Sequence, residues 1–391
     1  MDAACTLLHE KIHLETCASM KVLYLSEWYP NRYDTSSGRF VRGHAISAVK
    51  QNVNVCVLFL YAIPKGDREC LIRQQTEGVQ EIYVYYSGSY ITALLKGWKY
   101  VQQHWGKPNL CQLNVLTKNA ILPLWLNVTQ DIPYIIVEHW TGYYPESGAF
   151  KGGVRAFLAR IAARRAKMIL TVSSELAEQM QRHGLKNPDY RTIRNVVYDL
   201  FFHSQARPKD RIKRMLHVSF LDDAHKNVRD IIRAISILSK KRQDFECVII
   251  GEGDNRASLM HIAGELSIPN GMIKWTGELE PQKVCDYFYQ SDFFVFYSNY
   301  ETAGIVLSES LICGKPIIST AVGIAPDIIT KETGIIVPKR QPDELAKAMN
   351  WMLDHYNEYD IKNLRAAGKP YSEANVGKYL KSIYDQVIPN S

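Results

Sequence analysis

The chain has 391 residues, of which 46% are hydrophobic and 22% are charged. This balance fits a globular protein with two or three domains and enough apolar residues for large cores. The formal net charge of +7 is too small to indicate nucleic-acid binding, so nucleic acid is excluded as an expected partner.

The N-terminal segment does not resemble a signal peptide, because acidic residues interrupt its apolar stretch and no basic region precedes it. The run at 20–25 begins with methionine and continues directly into an apolar strand pattern. We therefore expect residues 1–19 to be a disordered or non-native extension and the folded chain to start at Met20.

From residue 20 onwards, apolar runs of strand length alternate with segments of helical period. The strands predicted in the first half are 22–25, 53–60, 82–86, 135–137 and 168–172, and a helix is predicted at 40–51. This alternation predicts a doubly wound α/β sheet. We expect it to form a first domain over 20–201.

The second half repeats the pattern. Its predicted strands are 214–219, 246–250 and 272–275, and a helix is predicted at 228–240. Residues 202–213 are mostly polar, contain Pro208 and show no period, which predicts a linker. We expect a second α/β domain over 214–370.

A strand, loop, helix and strand at 293–319 carry the strongest functional signal. The apolar run 293–297 predicts a strand, 305–313 a helix closed by Gly314, and 316–319 another strand. In such a unit the loop lies at the carboxyl edge of the sheet, where ligands bind.

Two glutamates in this unit are predicted to contact separate parts of one elongated ligand. Glu301 falls in the loop and Glu309 on the helix, so they are roughly 12 Å apart along the axis. A glycosidase pair needs about 5–9.5 Å, which argues against a hydrolase. The N–H groups of Ala303, Gly304 and Ile305 begin the helix and favour a phosphate between the two glutamates.

The spacing of Glu301 and Glu309, the Ala303-Gly304 pair and the Gly-Lys-Pro at 314–316 resemble the retaining glycosyltransferases of family 4. The resemblance implies GT-B architecture, in which two Rossmann-like domains face each other across a cleft. The last helix, here 371–388, would then return to complete the first domain. The resemblance also implies a nucleotide-sugar donor along 301–309, with Glu301 on the sugar, Glu309 on the ribose, and Thr302 among the contacts.

The resemblance extends to three residues of the first half. Gly38 and Arg39 follow the first strand, where the family has a glycine loop near the donor phosphates. His139 follows the strand at 135–137 and is expected to face the cleft and bind the sugar. Its neighbour Glu138 is a rival that strand alternation points the other way.

Lys226 lies between a strand and a helix, where a lysine can neutralise a diphosphate. The family commonly has an arginine as well in this segment. Here that position holds Phe220, or Ser219 in a shifted alignment. This difference removes one cation, so Lys226, Arg39 and backbone amides are expected to neutralise the diphosphate without it.

No Asp-x-Asp occurs in the chain, so we expect no metal at the diphosphate. No separate cofactor is expected, since the nucleotide sugar is a substrate. The eight cysteines form no CxxC pair, which predicts reduced thiols in a cytoplasmic protein rather than a zinc site or a disulfide scaffold.

Two segments leave membrane contact open. Residues 83–107 mix aromatic residues with lysines, and 154–167 predicts a basic helix with apolar residues on one face. Both suit the cytoplasmic face of a membrane or a lipid-linked acceptor, and both equally suit a solvated helix over a core. No apolar run reaches the length of a membrane-spanning helix.

The sequence thus predicts a metal-independent glycosyltransferase that retains anomeric configuration. His139, Glu301 and Lys226 are its expected catalytic residues, a glycan or lipid-linked molecule is its acceptor, and surface polysaccharide biosynthesis is its setting. A GT-B nucleotide-sugar epimerase and a non-catalytic nucleotide-sugar-binding subunit remain the alternatives.

Overall fold

The structure is a computed structural model that describes residues 20–202 and 212–388. The predicted extension at 1–19 and most of the predicted linker, 203–211, lie outside the described residues. Within those described ranges, no helix has both the length and the apolar character needed to cross a membrane.

The first half forms a sheet of eight strands in the order β3-β4-β2-β1-β5-β6-β7-β8. All neighbours are parallel except β3 and β4. The strands are β1 (Lys21–Ser26), β2 (Asn54–Ala62), β3 (Cys70–Thr76), β4 (Val79–Tyr86), β5 (Leu110–Asn114), β6 (Tyr134–Glu138), β7 (Ile169–Thr171) and β8 (Tyr190–Thr192). The helices are α1 (Arg39–Val49), α2 (Tyr90–His104), α3 (Ile121–Gln130), α4 (Val154–Arg165) and α5 (Ser174–Arg182).

The second half forms a parallel sheet of six strands in the order β11-β10-β9-β12-β13-β14. The strands are β9 (Lys213–Val218), β10 (Phe245–Ile250), β11 (Ile273–Gly277), β12 (Phe293–Phe296), β13 (Ile317–Thr320) and β14 (Gly334–Val337). The helices are α6 (Asp223–Lys226), α7 (Val228–Ser239), α8 (Arg256–Glu265), α9 (Pro281–Gln290), α10 (Ile305–Ile312), α11 (Ala325–Ile328), α12 (Pro342–His355), α13 (Ile361–Gly368) and α14 (Glu373–Val387). The predicted α/β class is confirmed.

The edge strand β3 is an element that the sequence patterns do not predict. Most of its residues are polar and at least partly exposed, so it lacks the apolar run of a buried strand. It reaches β4 through Glu77 and Gly78, whose φ angles are 46° and 85°. Two successive positive φ angles are the geometry of a tight hairpin turn, which explains the antiparallel pairing at this edge.

Each sheet has one place where the direction of strand addition reverses. In the first sheet, β2 pairs with one side of β1 and β5 pairs later with the other side. In the second sheet, β10 pairs with one side of β9 and β12 pairs later with the other side. In open α/β sheets, ligands bind outside the carboxyl ends of the two strands at such a reversal. The fold therefore provides two candidate crevices, one at β1 and β5 and one at β9 and β12.

The last helix, α14, packs on the first sheet and its helix α1. The Tyr384 hydroxyl is 2.6 Å from the Gln112 amide oxygen and 2.5 Å from the Tyr24 hydroxyl. The two helices approach closely at Gly377, where a Cβ atom would lie 2.3 Å from the Ser47 carbonyl oxygen. The chain thus returns to its first half after finishing the second sheet.

The Gly377→Ala substitution is expected to destabilise the protein by about 1–3 kcal/mol, because its methyl group forces α14 away from α1. Urea unfolding measures the change. Gly264→Ala on the exposed part of α8 is the matched control, since nothing lies within 4 Å of its Cβ position. Alanine there should stabilise the helix slightly. Equal effects at the two sites would contradict the close helix contact.

Candidate active site

Lys226 and Glu301 meet at the crevice of the second sheet. Lys226 ends α6, which follows β9, and Glu301 lies in the loop that follows β12. The Lys226 ammonium forms an ion pair with Glu301 Oε2. Both side chains are largely buried, and Lys226 also lies 5.9 Å from the ring centre of Phe296. Two residues predicted to contact different parts of a ligand are therefore direct neighbours.

A histidine completes the surroundings of Glu301. His225 Nε2 lies 3.6 Å from Glu301 Oε2, and its ring stacks on Tyr300 with the ring centres 4.3 Å apart. Burial and the adjacent Lys226 charge lower the pKa of His225, which favours the neutral ring. Burial alone would raise the pKa of Glu301, but Lys226 and His225 hold it below its ordinary value. The glutamate is therefore a carboxylate at neutral pH.

The loop that carries Glu301 ends at the N-terminus of α10. Gly304 precedes the helix with a φ of 74°, a conformation that glycine adopts without strain. Within the described residues, the N–H groups of Ala303, Gly304 and Ile305 have no backbone or side-chain acceptor. Free N–H groups at a helix start attract an anion, so the predicted phosphate position is open to a ligand.

Residues after β13 brace this loop from behind. The Ile324 N–H donates to the Ala303 carbonyl at 3.0 Å, and a Cβ at Gly323 would lie 2.6 Å from the same oxygen. The Gly323 N–H donates to Glu175 on α5 at 2.9 Å, which joins the loop region to the first half of the chain. The position of Glu301 therefore depends on contacts from both halves.

Glu309 lies one turn inside α10 and is partly buried. Its burial raises the pKa from 4.5 to about 8. In the part of the chain that the structure describes, no side chain donates a hydrogen bond to its carboxyl group. A partly buried acceptor without a protein donor is suited to ligand hydroxyl groups.

The raised pKa of Glu309 predicts a pH-dependent stability difference from Glu309→Gln. The folded protein holds the carboxyl proton up to about pH 8, whereas the unfolded chain releases it near 4.5. Wild-type stability should therefore fall relative to the variant as pH rises from about 4.5 to 8, by on the order of 4 kcal/mol. Urea unfolding across this range measures the difference, and a difference independent of pH would contradict the prediction.

Gly38 and Arg39 lie at the start of α1, and Arg39 approaches the second half of the chain. A Cβ at Gly38 would lie 2.2 Å from the Trp28 carbonyl oxygen, so the turn requires glycine. Arg39 is exposed, and its Nε donates to the Thr35 carbonyl at 3.1 Å. Burial raises the pKa of Tyr198, and the charges of Arg39 and Glu309 both act on it as well. Arg39 of the first half and Glu309 of the second half therefore both lie near Tyr198.

His139 lies at the end of β6, beneath the first turn of α1. It is only 6% exposed, and the Phe40 ring covers it with the ring centres 4.2 Å apart. Its predicted contact with the sugar stays a prediction. Burial and the nearby His44 lower its pKa, and its buried Nε2 has no partner among the described residues. A neutral ring nitrogen without a protein partner is free to bind a ligand hydroxyl group once it becomes accessible.

Glu138, the rival of His139, is fully buried and already saturated with hydrogen bonds. It accepts the N–H groups of Leu116, His139 and Trp140 and the hydroxyl of Tyr143 at 2.8–3.1 Å. Its carboxylate holds the loops after β5 and β6 together. It is therefore a structural residue, as the alternation of the strand predicted.

Neither of the two residues that could replace the family's arginine, Ser219 and Phe220, carries a charge. Phe220 is 63% exposed, and the Ser219 hydroxyl lies 2.7 Å from Nε2 of the buried His217. Sequence reasoning missed His225, Tyr300 and Glu175 around Glu301. His225 next to Lys226 and Tyr300 next to Glu301 gave a signal through their positions in the sequence. Glu175 gave none, because the packing of the two halves brings it to Gly323.

Two family descriptions match the chain in the order of its two sheets. "Glycosyl transferase 4-like domain" matches residues 39–196, and "Glycosyl transferases group 1" matches residues 201–369. The second match contains Lys226, Glu301 and Glu309, and the first contains Arg39 and His139. The chain belongs to the GT-B glycosyltransferases.

Individual relatives of this GT-B glycosyltransferase differ in the sugars and acceptors that their names state. A GDP-mannose-dependent phosphatidylinositol monomannoside mannosyltransferase of Corynebacterium glutamicum is 28% identical over 43% of the chain and 48% of its own length. The chain thus matches about half of that relative. The alpha-D-kanosaminyltransferase of Streptomyces kanamyceticus is 26% identical over 68% of the chain and 74% of its own length.

Solved structures show the same fold over nearly the whole chain. Sucrose-phosphate synthase from Thermosynechococcus elongatus aligns with a TM-score of 0.74 at 17% identity, covering 94% of this chain and 98% of its own. HepE from Anabaena, in complex with UDP and glucose, aligns with a TM-score of 0.71 at 14% identity, covering 94% and 99%. At these identities the likeness establishes the GT-B fold alone.

Proposed function

We propose that the chain transfers a sugar from a nucleotide-sugar donor to a glycan or lipid-linked acceptor with retention of anomeric configuration. The observation that carries the proposal is the Lys226–Glu301 pair beside the free N–H groups of α10, at the crevice of the second sheet. Cation, carboxylate and helix start together suit a diphosphate joined to a sugar.

The donor would lie along the loop after β12 and the first turns of α10. Glu309 accepts the ribose hydroxyls, and Lys226 with the amides of Ala303, Gly304 and Ile305 faces the diphosphate. Glu301 and Thr302 face the sugar. Arg39, after the Gly38 turn, adds positive charge from the first half. The donor would thus extend along the carboxyl edge of the second sheet, with its sugar at Glu301 and its ribose at Glu309.

The chemistry proposed is a front-face displacement. The glycosidic bond to the diphosphate breaks as the acceptor oxygen attacks the same face of the sugar, and the acceptor proton passes to the departing phosphate oxygen. Lys226 and the helix N-terminus stabilise the negative charge that develops there, which is the main catalytic term. We propose that this charge stabilisation operates without a divalent metal, so EDTA should leave the rate unchanged.

His139 is assigned a conditional role. Its unpartnered Nε2 can bond a sugar hydroxyl when α1 shifts and uncovers the ring. Closure of the two halves around the donor would provide such a shift and exclude water. A role in surface polysaccharide biosynthesis is proposed from the class of acceptor alone.

Donor binding tests the proposal first. UDP-glucose and GDP-mannose represent the donors that appear with HepE and with the mannosyltransferase relative. A bound donor raises the melting temperature by mass action, and Glu309→Gln should weaken that shift. The anomeric configuration of the product, read by NMR, then tests retention.

Donor binding and product analysis together distinguish the retaining transferase from an epimerase and from a non-catalytic subunit. An inverted product contradicts the retaining mechanism, and epimerised donor in the absence of acceptor favours an epimerase. Donor binding without transfer to any acceptor favours a non-catalytic subunit, for which the exposed Phe220 in place of an arginine is the supporting observation.

A further inference from the structure

The crevice of the first sheet holds a cavity that the donor assignments do not use. It has a volume of about 530 Å³ and is lined by Glu27 after β1, by 116–118 after β5, and by α3 and α4. This volume falls within the ~300–1,000 Å³ of ligand pockets. Its place beside the carboxyl ends of β1 and β5 is the binding position that the strand order predicts.

The walls of the cavity are mainly apolar. The largest apolar side chains are Leu116, Ile121, Leu124, Val154 and Leu158. Val154 is 75% exposed and Leu158 48%, so apolar surface continues from the interior to the mouth. A sugar, whose surface is mainly polar, would gain little from contact with these walls. A hydrocarbon chain would remove the apolar walls and its own surface from water, which is favourable.

Two cations at the cavity are held in place by aromatic rings. The Lys118 ammonium lies 4.5 Å from the ring centre of Tyr90, and the Arg155 guanidinium lies 4.6 Å from that of Trp140. Such contacts reduce the freedom of long side chains and hold their charge beside the apolar walls. Lysine and arginine together suit a phosphate group.

Glu27 is the acidic residue that lines the cavity. Its Oε2 accepts the Thr117 hydroxyl at 2.8 Å and the Asn119 amide at 3.0 Å, which fixes the carboxylate at the end of β1. Within the described residues no donor contacts Oε1. A carboxylate repels a phosphate and accepts from a hydroxyl group, so Oε1 favours a hydroxyl group of the ligand.

We propose that this cavity binds the hydrocarbon tail of a lipid-linked acceptor, with its phosphate at Lys118 and Arg155 and its hydroxyl group towards Glu27. This inference rests on the proposed function, since it specifies the class of the acceptor. Binding of the amphiphile itself does not require the donor, which lets the two be tested separately.

Dodecyl phosphate below its micelle concentration is the probe, and isothermal titration calorimetry measures its Kd. It should bind saturably and more tightly than inorganic phosphate or dodecyl maltoside, which supply only the charge or only the tail. Leu158→Gln, which places an amide in the cavity wall, should weaken binding by about tenfold. Phe157→Gln is the matched control, because Phe157 is 62% exposed on the same helix and does not line the cavity.

The charge is tested in the same way. Arg155→Gln should weaken the binding of dodecyl phosphate but not of dodecyl maltoside, whereas Arg164→Gln on the same helix should change neither. Equal losses in Leu158→Gln and Phe157→Gln would show adsorption to an apolar surface and overturn the proposal. Inorganic phosphate binding as tightly as dodecyl phosphate would also overturn it.

Measuring donor binding distinguishes a failure of the acceptor assignment from a failure of the proposed transferase function. Nucleotide-sugar binding with no saturable binding of dodecyl phosphate overturns the acceptor assignment and leaves the proposed function standing. Dodecyl phosphate binding without any nucleotide-sugar binding overturns the proposed function and the acceptor role, and leaves only an amphiphile site. Both Leu158→Gln and Arg155→Gln should keep wild-type donor binding.

Discussion

Replacing Glu301 by glutamine is expected to lower kcat by about 100-fold. The side chain keeps its shape but loses the charge that accepts hydrogen bonds from the sugar, and bonds to a charged group contribute about 1.5–3 kcal/mol. Burial next to Lys226 and His225 makes this charge difference larger than on an exposed surface. Initial rates at saturating donor and acceptor measure the effect.

The comparison with Glu309→Gln shows which part of the donor each glutamate contacts. Loss of a contact to the ribose, far from the reacting bond, should raise the donor KM and leave kcat nearly unchanged. Glu332→Gln is the control, since Glu332 is exposed between α11 and β14. Unchanged kcat in Glu301→Gln would mean that the carboxylate does not contact the reacting sugar.

Replacing Lys226 by methionine is expected to destabilise the folded protein by about 3–5 kcal/mol. Methionine fills the space over Phe296, but it leaves the Glu301 carboxylate buried without its ion pair. Removing one partner of a buried pair is strongly unfavourable, because the remaining charge is desolvated and has no opposite charge to compensate that cost. Urea unfolding at neutral pH measures the change.

The double variant Lys226→Met with Glu301→Gln separates stability from catalysis. Removing both charges should restore most of the lost stability, so the two substitutions should not be additive. Transfer activity should remain absent, because the diphosphate has lost its cation. Additive losses of stability would show that the two side chains do not depend on each other, contrary to the ion pair.

The local order of elements around the glutamates was readable from the sequence. The apolar run 293–297, the loop with Glu301 and the helix with Glu309 occur as β12, loop and α10 within one residue of their predicted starts. Such elements depend on side-chain periodicity and on glycine at Gly304 and Gly314, which are properties of neighbouring residues. The polar edge strand β3 carried no such pattern and was missed.

The partners of the site residues were not readable. Lys226 and Glu301 are 75 positions apart, and their contact depends on β9 and β12 being neighbours in the sheet. The covering of His139 by Phe40 depends on how α1 packs over β6. No local pattern specifies either contact, because each is fixed by the packing of whole elements.

The sequence by itself thus determined the α/β class, the position of Glu301 in a loop and of Glu309 on a helix, and the resemblance that predicts a nucleotide-sugar donor. Only the tertiary structure decided that Lys226 pairs with Glu301, that Glu309 has a raised pKa, and that an apolar cavity lies beside Glu27. The physical reason is that periodicity and turns act between neighbouring residues, whereas burial, ion pairing and cavity shape arise from surfaces that folding brings together.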